Sequence, residues 1–334
     1  MPLPKVSVIS LGCTISSLRS GGPGVRPSLT GEALVESVPA LSKVAEVSAV
    51  SLRQVPGWAL TLDDLVEVAA EANRRMDGGD TGVVVTQGTD SIEETAFALD
   101  LLVEGDGPVV VTGAMRNPTL PGADGPANLL AAVRVAASGA ARGIGAVVVM
   151  NDEVHAARNV RKTHTQSPAA FRSVGAGPIG WVSEGSVRIP LRPAVRQRVR
   201  PPDRPTPHDV ALLQVWPGDD GRILRAVGNL GYDGLVVEGM GGGHVPPAAA
   251  EVLEGLAARM PVVLASRTGG GETLARTYDP PGSEMDLLAR GLIPSGALDG
   301  PKARLLLALL LRSGASREEI QAAFGHQPGG EPES

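Results

Sequence analysis

Short, β-branched apolar runs alternate with amphipathic stretches along this chain, and that alternation limits the folds open to it more than any other property. Val6–Leu11, Val83–Thr86, Val109–Thr112 and Gly145–Met150 are too short and too rich in valine to be helices, and they read as buried strands. Helical spacing appears between them. Gly31–Ser42 places Leu34, Val38 and Leu41 on one face. Asp90–Val103 does the same with Ile92, Ala96, Leu99 and Val103, and Gly125–Ser138 is a further helix. Asp90 or Ser91 can cap the second helix, and Glu93 and Glu94 suit the positive end of its dipole. Strands that alternate with helices require right-handed crossovers and a parallel sheet covered on both faces. The loops after Leu11, Thr86, Thr112 and Met150 should then gather at one sheet edge, where such folds bind ligands.

The Pro- and Arg-rich stretch Arg192–Arg204 interrupts this pattern. It reads as a solvated linker, giving domains over residues 1–190 and 209–334 joined by 191–208. After it the alternation resumes on a smaller scale. Ala211–Val215, Leu235–Val237 and Val262–Ala265 are strands, and Pro246–Arg259 and Pro301–Leu311 are helices. Ser316 with Glu319 forms a capping box that opens a last helix through Phe324. Aromatic residues make up only 2%, so both cores must be built from Ala, Val, Leu and Ile.

Composition excludes several classes of function. The net charge of −6 argues against nucleic-acid or membrane-surface binding. The single cysteine, Cys13, rules out an intrachain disulfide and allows a reducing compartment. Met1–Ser10 lacks the pattern of a secretory leader, and no apolar run has membrane-spanning length, so a cytoplasmic location is expected. His155, His164, His208, His244 and His326 show no metal-ligand spacing. Gly239–Gly243 and Gly269–Gly271 lack the following Lys-Ser/Thr of a nucleotide loop and read as turns. No metal or organic cofactor is expected.

Two threonines follow strand ends beside glycine: Thr14 in Leu11-Gly12-Cys13-Thr14 and Thr89 in Thr86-Gln87-Gly88-Thr89-Asp90. Glycine there lets backbone N–H groups approach a substrate carbonyl. A threonine hydroxyl attacks only once a neighbouring base takes its proton, and Asp90 and Lys162 are the candidate activators. Each threonine alone is equally at home as a cap or strand terminator.

The run from Val83 through Thr86-Gln87-Gly88-Thr89-Asp90 to Ala96 resembles the second signature of the bacterial-type L-asparaginase family, with Gln87 where histidine is usual. Gly113-Ala114-Met115-Arg116, Ala123–Leu129, Val147–Asp152 and Lys162-Thr163-His164-Thr165 are similar to further family blocks. So are Tyr232–Val237, Ser295–Leu298 and Lys302-Ala303-Arg304. The resemblance covers nearly the whole chain in order. It implies a two-domain α/β fold, with a larger N-terminal domain built on a mostly parallel sheet and a smaller flavodoxin-like C-terminal domain. It implies hydrolysis of L-asparagine to L-aspartate and ammonia, with Thr14 as nucleophile and an acyl-enzyme intermediate. Thr89, Asp90 and Lys162 would form a second catalytic cluster, and Asp90 would also hold the substrate ammonium. Gly57, Trp58, Gly88 and Ala114 would line the substrate pocket. Glu284 would complete the site of a neighbouring subunit in a homotetramer built from intimate dimers.

The chain departs from the family at three places. Cys13 stands where the opening signature has glycine. The stretch Arg19–Ser28, a lid in the family, lacks its tyrosine. Pro56-Gly57-Trp58-Ala59 holds no hydroxyl where the family binds the substrate carboxylate, which leaves Trp58 either as a pocket wall or as a packing residue. An amidase for another small amide and a non-catalytic ligand-binding homologue therefore stand as alternatives. Ammonia release from a panel of amides separates the first, and ligand stabilisation without turnover the second.

Overall fold

The computed structural model describes residues 2–12, 17–19, 25–27, 30–194, 196–200 and 208–325. Thr14 and Cys13 lie outside the described residues, as do Gly21–Gly24 and His326. The chain divides into two compact units, Met1–Arg198 and Val199–Ser334.

The first unit contains strands β1 (Lys5–Ser10), β2 (Ser17–Arg19), β3 (Val25–Pro27), β4 (Glu46–Ser51), β5 (Gly82–Thr86), β6 (Val109–Thr112), β7 (Ala146–Met150), β8 (Glu153–Ala156), β9 (Val160–Lys162), β10 (Phe171–Ser173), β11 (Gly180–Ser183) and β12 (Ser186–Arg188). Its helices are α1 (Gly31–Glu36), α2 (Leu62–Asp77), α3 (Ile92–Leu102) and α4 (Gly125–Ala136). The main sheet has the order β12-β11-β8-β7-β6-β5-β1-β4. The run from β7 to β4 is parallel, and β8, β11 and β12 extend it antiparallel. Residues of both strand faces are buried. Val6, Val8, Val84, Val110, Val147 and Val149 pack with α1 and α4, and Ile9, Val83, Val85, Val111 and Val148 are wholly buried on the opposite side. This two-sided burial is why the strands read as unbroken apolar runs.

Local chemistry sets the element ends. The helix expected over Gly31–Ser42 stops at Glu36, because Pro39 cannot continue it, and Pro39–Lys43 forms a 3-10 turn instead. Leu34, Val38 and Leu41 are still buried together. Helix α2 starts with a reciprocal capping box between Thr61 and Asp64. Asn151 and Asp152 take φ of 54° and 61° in the two-residue turn joining β7 to β8, the geometry that favours Asn and Asp in tight hairpins. Strand β2, which ends at the first residue of the expected lid stretch, pairs antiparallel with β3 inside that stretch, Ser17 with Pro27 and Arg19 with Val25.

The basic stretch is not solvated throughout, as its composition suggested. Arg196 donates to the partly buried Asp100 carboxylate at 3.2 Å and to the carbonyls of Gly105 and Val103, and Arg192 donates to the carbonyls of Ala140 and Arg142. Guanidinium groups with several fixed acceptors attach the start of the segment to the first unit.

The second unit has strands β13 (Val210–Gln214), β14 (Gly234–Gly239), β15 (Val262–Ser266) and β16 (Ile293–Pro294), all parallel and in that order. Its helices are α5 (Arg222–Val227), α6 (Pro247–Ala257), α7 (Glu284–Ala289), α8 (Gly300–Arg312) and α9 (Arg317–Gly325). The Ser316 backbone N–H donates to Glu319 at 2.7 Å, and the Glu319 N–H donates to Ser316 Oγ at 3.2 Å, closing the expected capping box.

Candidate active site

The carboxyl ends of the parallel strands of the first unit do meet at one edge. Ser10 is in register with Thr86, and Thr86 with Thr112. The Leu11 N–H donates to the Thr86 carbonyl at 2.9 Å, and the Gln87 N–H to the Thr112 carbonyl at 3.1 Å. Gly12 is the last described residue before Thr14. Its φ is +87°, and a Cβ there would lie 2.7 Å from the Val55 nitrogen, so this position requires glycine.

Beyond β5 the chain forms a 3-10 turn, Thr89–Ser91, and then enters α3. Lys162, the last residue of β9, reaches this turn. Its Nζ donates to Thr89 Oγ1 at 2.9 Å and to Asp90 Oδ1 at 2.7 Å. Thr89 is buried, and the Lys162 side chain is nearly so, while that of Asp90 is half exposed. Asp90, Lys162, Thr163, His164 and Thr165 line an open cavity of about 360 Å³. The hydroxyl, ammonium and carboxylate thus form a connected, charge-assisted chain at a solvent-accessible site. That arrangement can move a proton to or from a threonine oxygen.

The surrounding hydrogen bonds hold this chain of groups in place. The two-stranded sheet β9–β10 stands apart from the main sheet. The Lys162 backbone N–H donates to Glu93 Oε2 in the first turn of α3 at 2.6 Å, which ties the strand to the helix. In the sequence Glu93 stands out only as an acid at the helix dipole, because its partner lies 69 residues away. Ser91 does not act as the expected cap. It makes no side-chain cap bond, and its hydroxyl instead donates to the Gly57 carbonyl at 2.8 Å while accepting from Gln87 Nε2 at 3.1 Å. Gly57 and Gly88 approach so closely that a Cβ on Gly57 would lie 2.7 Å from the Gly88 carbonyl oxygen. Trp58 follows in the same turn and is 77% exposed, which removes it from the packed core. Ala114 is buried next to Gly113, whose added Cβ would touch the Gln87 carbonyl and the Thr89 methyl. Asn128 bridges the loops after β6 and β7, donating to the Gly113 carbonyl and accepting from the Asn151 N–H, both at 3.0 Å.

Glu284 belongs to the second unit. It is fully buried, and one oxygen accepts from the N–H groups of Thr277 and Tyr278, each at 2.8 Å. The other oxygen faces His244 Nε2 at 2.9 Å. Burial pushes this carboxyl up, but the backbone donors of Tyr278 and Thr277, with His244, outweigh it and hold it below its ordinary range. Gly241 and Gly243, before His244, have φ of 51° and 113°, so the Gly-rich loop is a turn. Among the described residues no three His, Cys, Asp or Glu side chains are grouped to hold a metal, and no helix is long and apolar enough to cross a membrane.

Residues 5–195 match the family model described as asparaginase, N-terminal, and residues 209–324 match that of the glutaminase/asparaginase C-terminal domain. The chain is 35% identical over 312 residues to the L-asparaginase of Bacillus licheniformis, spanning 92% of this chain and 96% of the relative. It is 34% identical to L-asparaginase 2 of Escherichia coli, spanning 97% of this chain and 93% of that one. Its fold superposes on the crystal structure of a probable cytoplasmic L-asparaginase from Campylobacter jejuni with a TM-score of 0.87 at 28% identity, covering 96% of this chain and 99% of that chain.

Proposed function

The chain belongs to the bacterial-type L-asparaginase family, and from that premise we propose that it hydrolyses L-asparagine to L-aspartate and ammonia through a threonine nucleophile. The observation that carries this reading is the Lys162 ammonium bridging Thr89 Oγ1 and Asp90 Oδ1. Thr14, two residues beyond Gly12, attacks the side-chain amide carbon. The amide C–N bond breaks, ammonia leaves, and an ester remains on Thr14. Water oriented by Thr89 then attacks that ester, its proton passes to the departing Thr14 oxygen and restores the hydroxyl, and aspartate is released, while the Lys162 ammonium stabilises the charge that develops at Thr89. Asp90 holds Lys162 in place and offers its exposed carboxylate to the substrate ammonium.

Backbone N–H groups at Gly12–Thr14 and at Thr89 stabilise the oxyanion, and Gly57, Gly88 and Ala114 shape the pocket wall. The working form is a homotetramer of intimate dimers located in the cytoplasm, in which Glu284 acts at a neighbour's site. Because Glu284 is already engaged by three donors, it acts there by fixing His244 and the Thr277–Tyr278 backbone.

Ammonia release from L-asparagine by wild-type protein, Thr14→Ala and Thr89→Val tests the mechanism. Turnover in the wild type and loss in both variants is the expected result. A folded wild-type protein that releases no ammonia would remove asparagine as the substrate.

A further inference from the structure

The chain's three phenylalanines, Phe97, Phe171 and Phe324, are each at most 2% exposed, whereas Trp58 is 77% exposed, the highest value for a large apolar side chain among the described residues. Its backbone is nevertheless fixed. The Gly57–Ala59 turn closes with the Ala59 N–H on the Pro56 carbonyl at 2.9 Å. It is held to the catalytic turn by the Ser91 hydroxyl and by the close approach of Gly57 and Gly88. An indole carried on a turn that packs against Gly88 and Ser91, and itself exposed, is available to a ligand bound at the neighbouring catalytic turn.

We propose that Trp58 is the specificity-determining residue of this site, and that its preferred substrate is an asparaginyl compound blocked at the α-carboxyl group: an N-terminal asparaginyl peptide whose second residue lies on the indole. This rests on the amide-hydrolase reading above. Three observations favour that class. The half-exposed Asp90 carboxylate is a receiver for a free ammonium, so the amine end of the substrate stays unblocked. The indole face carries the negative side of the ring quadrupole, which disfavours a carboxylate and favours a planar amide or aromatic group. Position 57 has no room for a hydroxyl-bearing side chain that would donate to a carboxylate, because its first carbon would meet the Gly88 carbonyl at 2.7 Å. The chemistry is unchanged. The side-chain amide C–N bond is cleaved by water, ammonia leaves, and the product is an aspartyl peptide.

The test compares ammonia release from L-asparagine, L-asparaginyl-glycine and L-asparaginyl-L-phenylalanine by wild type, Trp58→Ala and Trp58→Phe. Wild-type kcat/KM is expected to rise in that order. Trp58→Ala is expected to lower the value for the phenylalanyl peptide by about tenfold more than that for asparagine, and Trp58→Phe to restore most of it. A wild type that prefers free asparagine, or an equal loss on all three compounds, overturns the proposal and leaves the hydrolase reading standing. Dissociation of the oligomer by Trp58→Ala with unchanged substrate ratios also overturns it, assigning the indole to a contact between copies. No ammonia from any of the three compounds overturns both readings.

Discussion

The two units share one architecture and use the same edge of it differently. In the first, the carboxyl edge of the parallel strands holds Asp90 half exposed, sharing Lys162 with the buried Thr89. In the second, the chain leaving β14 and the start of α7 bring together His244 and Glu284, and there the acid is sealed. An exposed carboxylate whose partner among the described residues is Lys162 can change partners when a substrate arrives. A buried one with three donors cannot do so without leaving those donors unsatisfied. A strand-end acid is thus assigned its role by its accessibility and its existing hydrogen bonds, not by its place in the fold.

Substitutions at three positions probe this contrast. Lys162→Met should have the largest effect, a loss of about 10³-fold in kcat on asparagine, within the range for a missing proton-transfer group, with little change in melting temperature. An equal loss of stability would show that Lys162 serves the fold instead. Glu284→Ala should invert the pattern, destabilising the protein by about 2 kcal/mol because buried donors lose their acceptor. The Glu284 carboxyl is held below its ordinary range, so its stabilising contribution is present at neutral pH and fades as pH falls through the folded-state value. The melting temperatures of wild type and Glu284→Gln should therefore begin to converge once pH falls below the ordinary carboxylate value, about 4.3. A gap that stays constant down to about pH 3 would show that the charge contributes nothing. Glu93→Ala should have the smallest effect, about tenfold in kcat with KM nearly unchanged, as Lys162 loses the anchor on its backbone N–H. Glu93→Gln, which keeps an acceptor oxygen, should recover most of the rate. Failure of that rescue would make the Glu93 charge, rather than its position, the relevant property.

Much of this was legible in the sequence because it depends on local pattern. The strands Val109–Thr112 and Gly82–Thr86 stand out because strands buried on both faces carry no alternation. Residue type alone offered Asp90 and Lys162 as activators, but Lys162 lies 73 residues from Thr89 and no spacing rule joins them, so only the family resemblance grouped the three as one cluster. Ser91 shows the limit of local reasoning. Its position before α3 fits a cap, yet its hydroxyl donates to Gly57, 34 residues earlier in the chain. The basic segment shows the same limit: its composition suits solvent, but Arg196 finds the partly buried Asp100 carboxylate 96 residues away.

Residue order alone indicated the alternation of the principal strands and helices, though not β4, α2 or the strands β8–β12, and the chemical groups available at the strand ends. These follow from hydrophobic period, helix-stopping prolines and glycines, each of which acts within a few residues. Three features emerged only on folding: which carboxylate is open and which is sealed, the hold of Glu93 on Lys162, and the position of Trp58 in solvent beside Thr89 instead of inside the core. Burial and hydrogen-bond partnership depend on segments distant in the chain meeting across a sheet edge. No local pattern encodes which backbone N–H or hydroxyl will be waiting there.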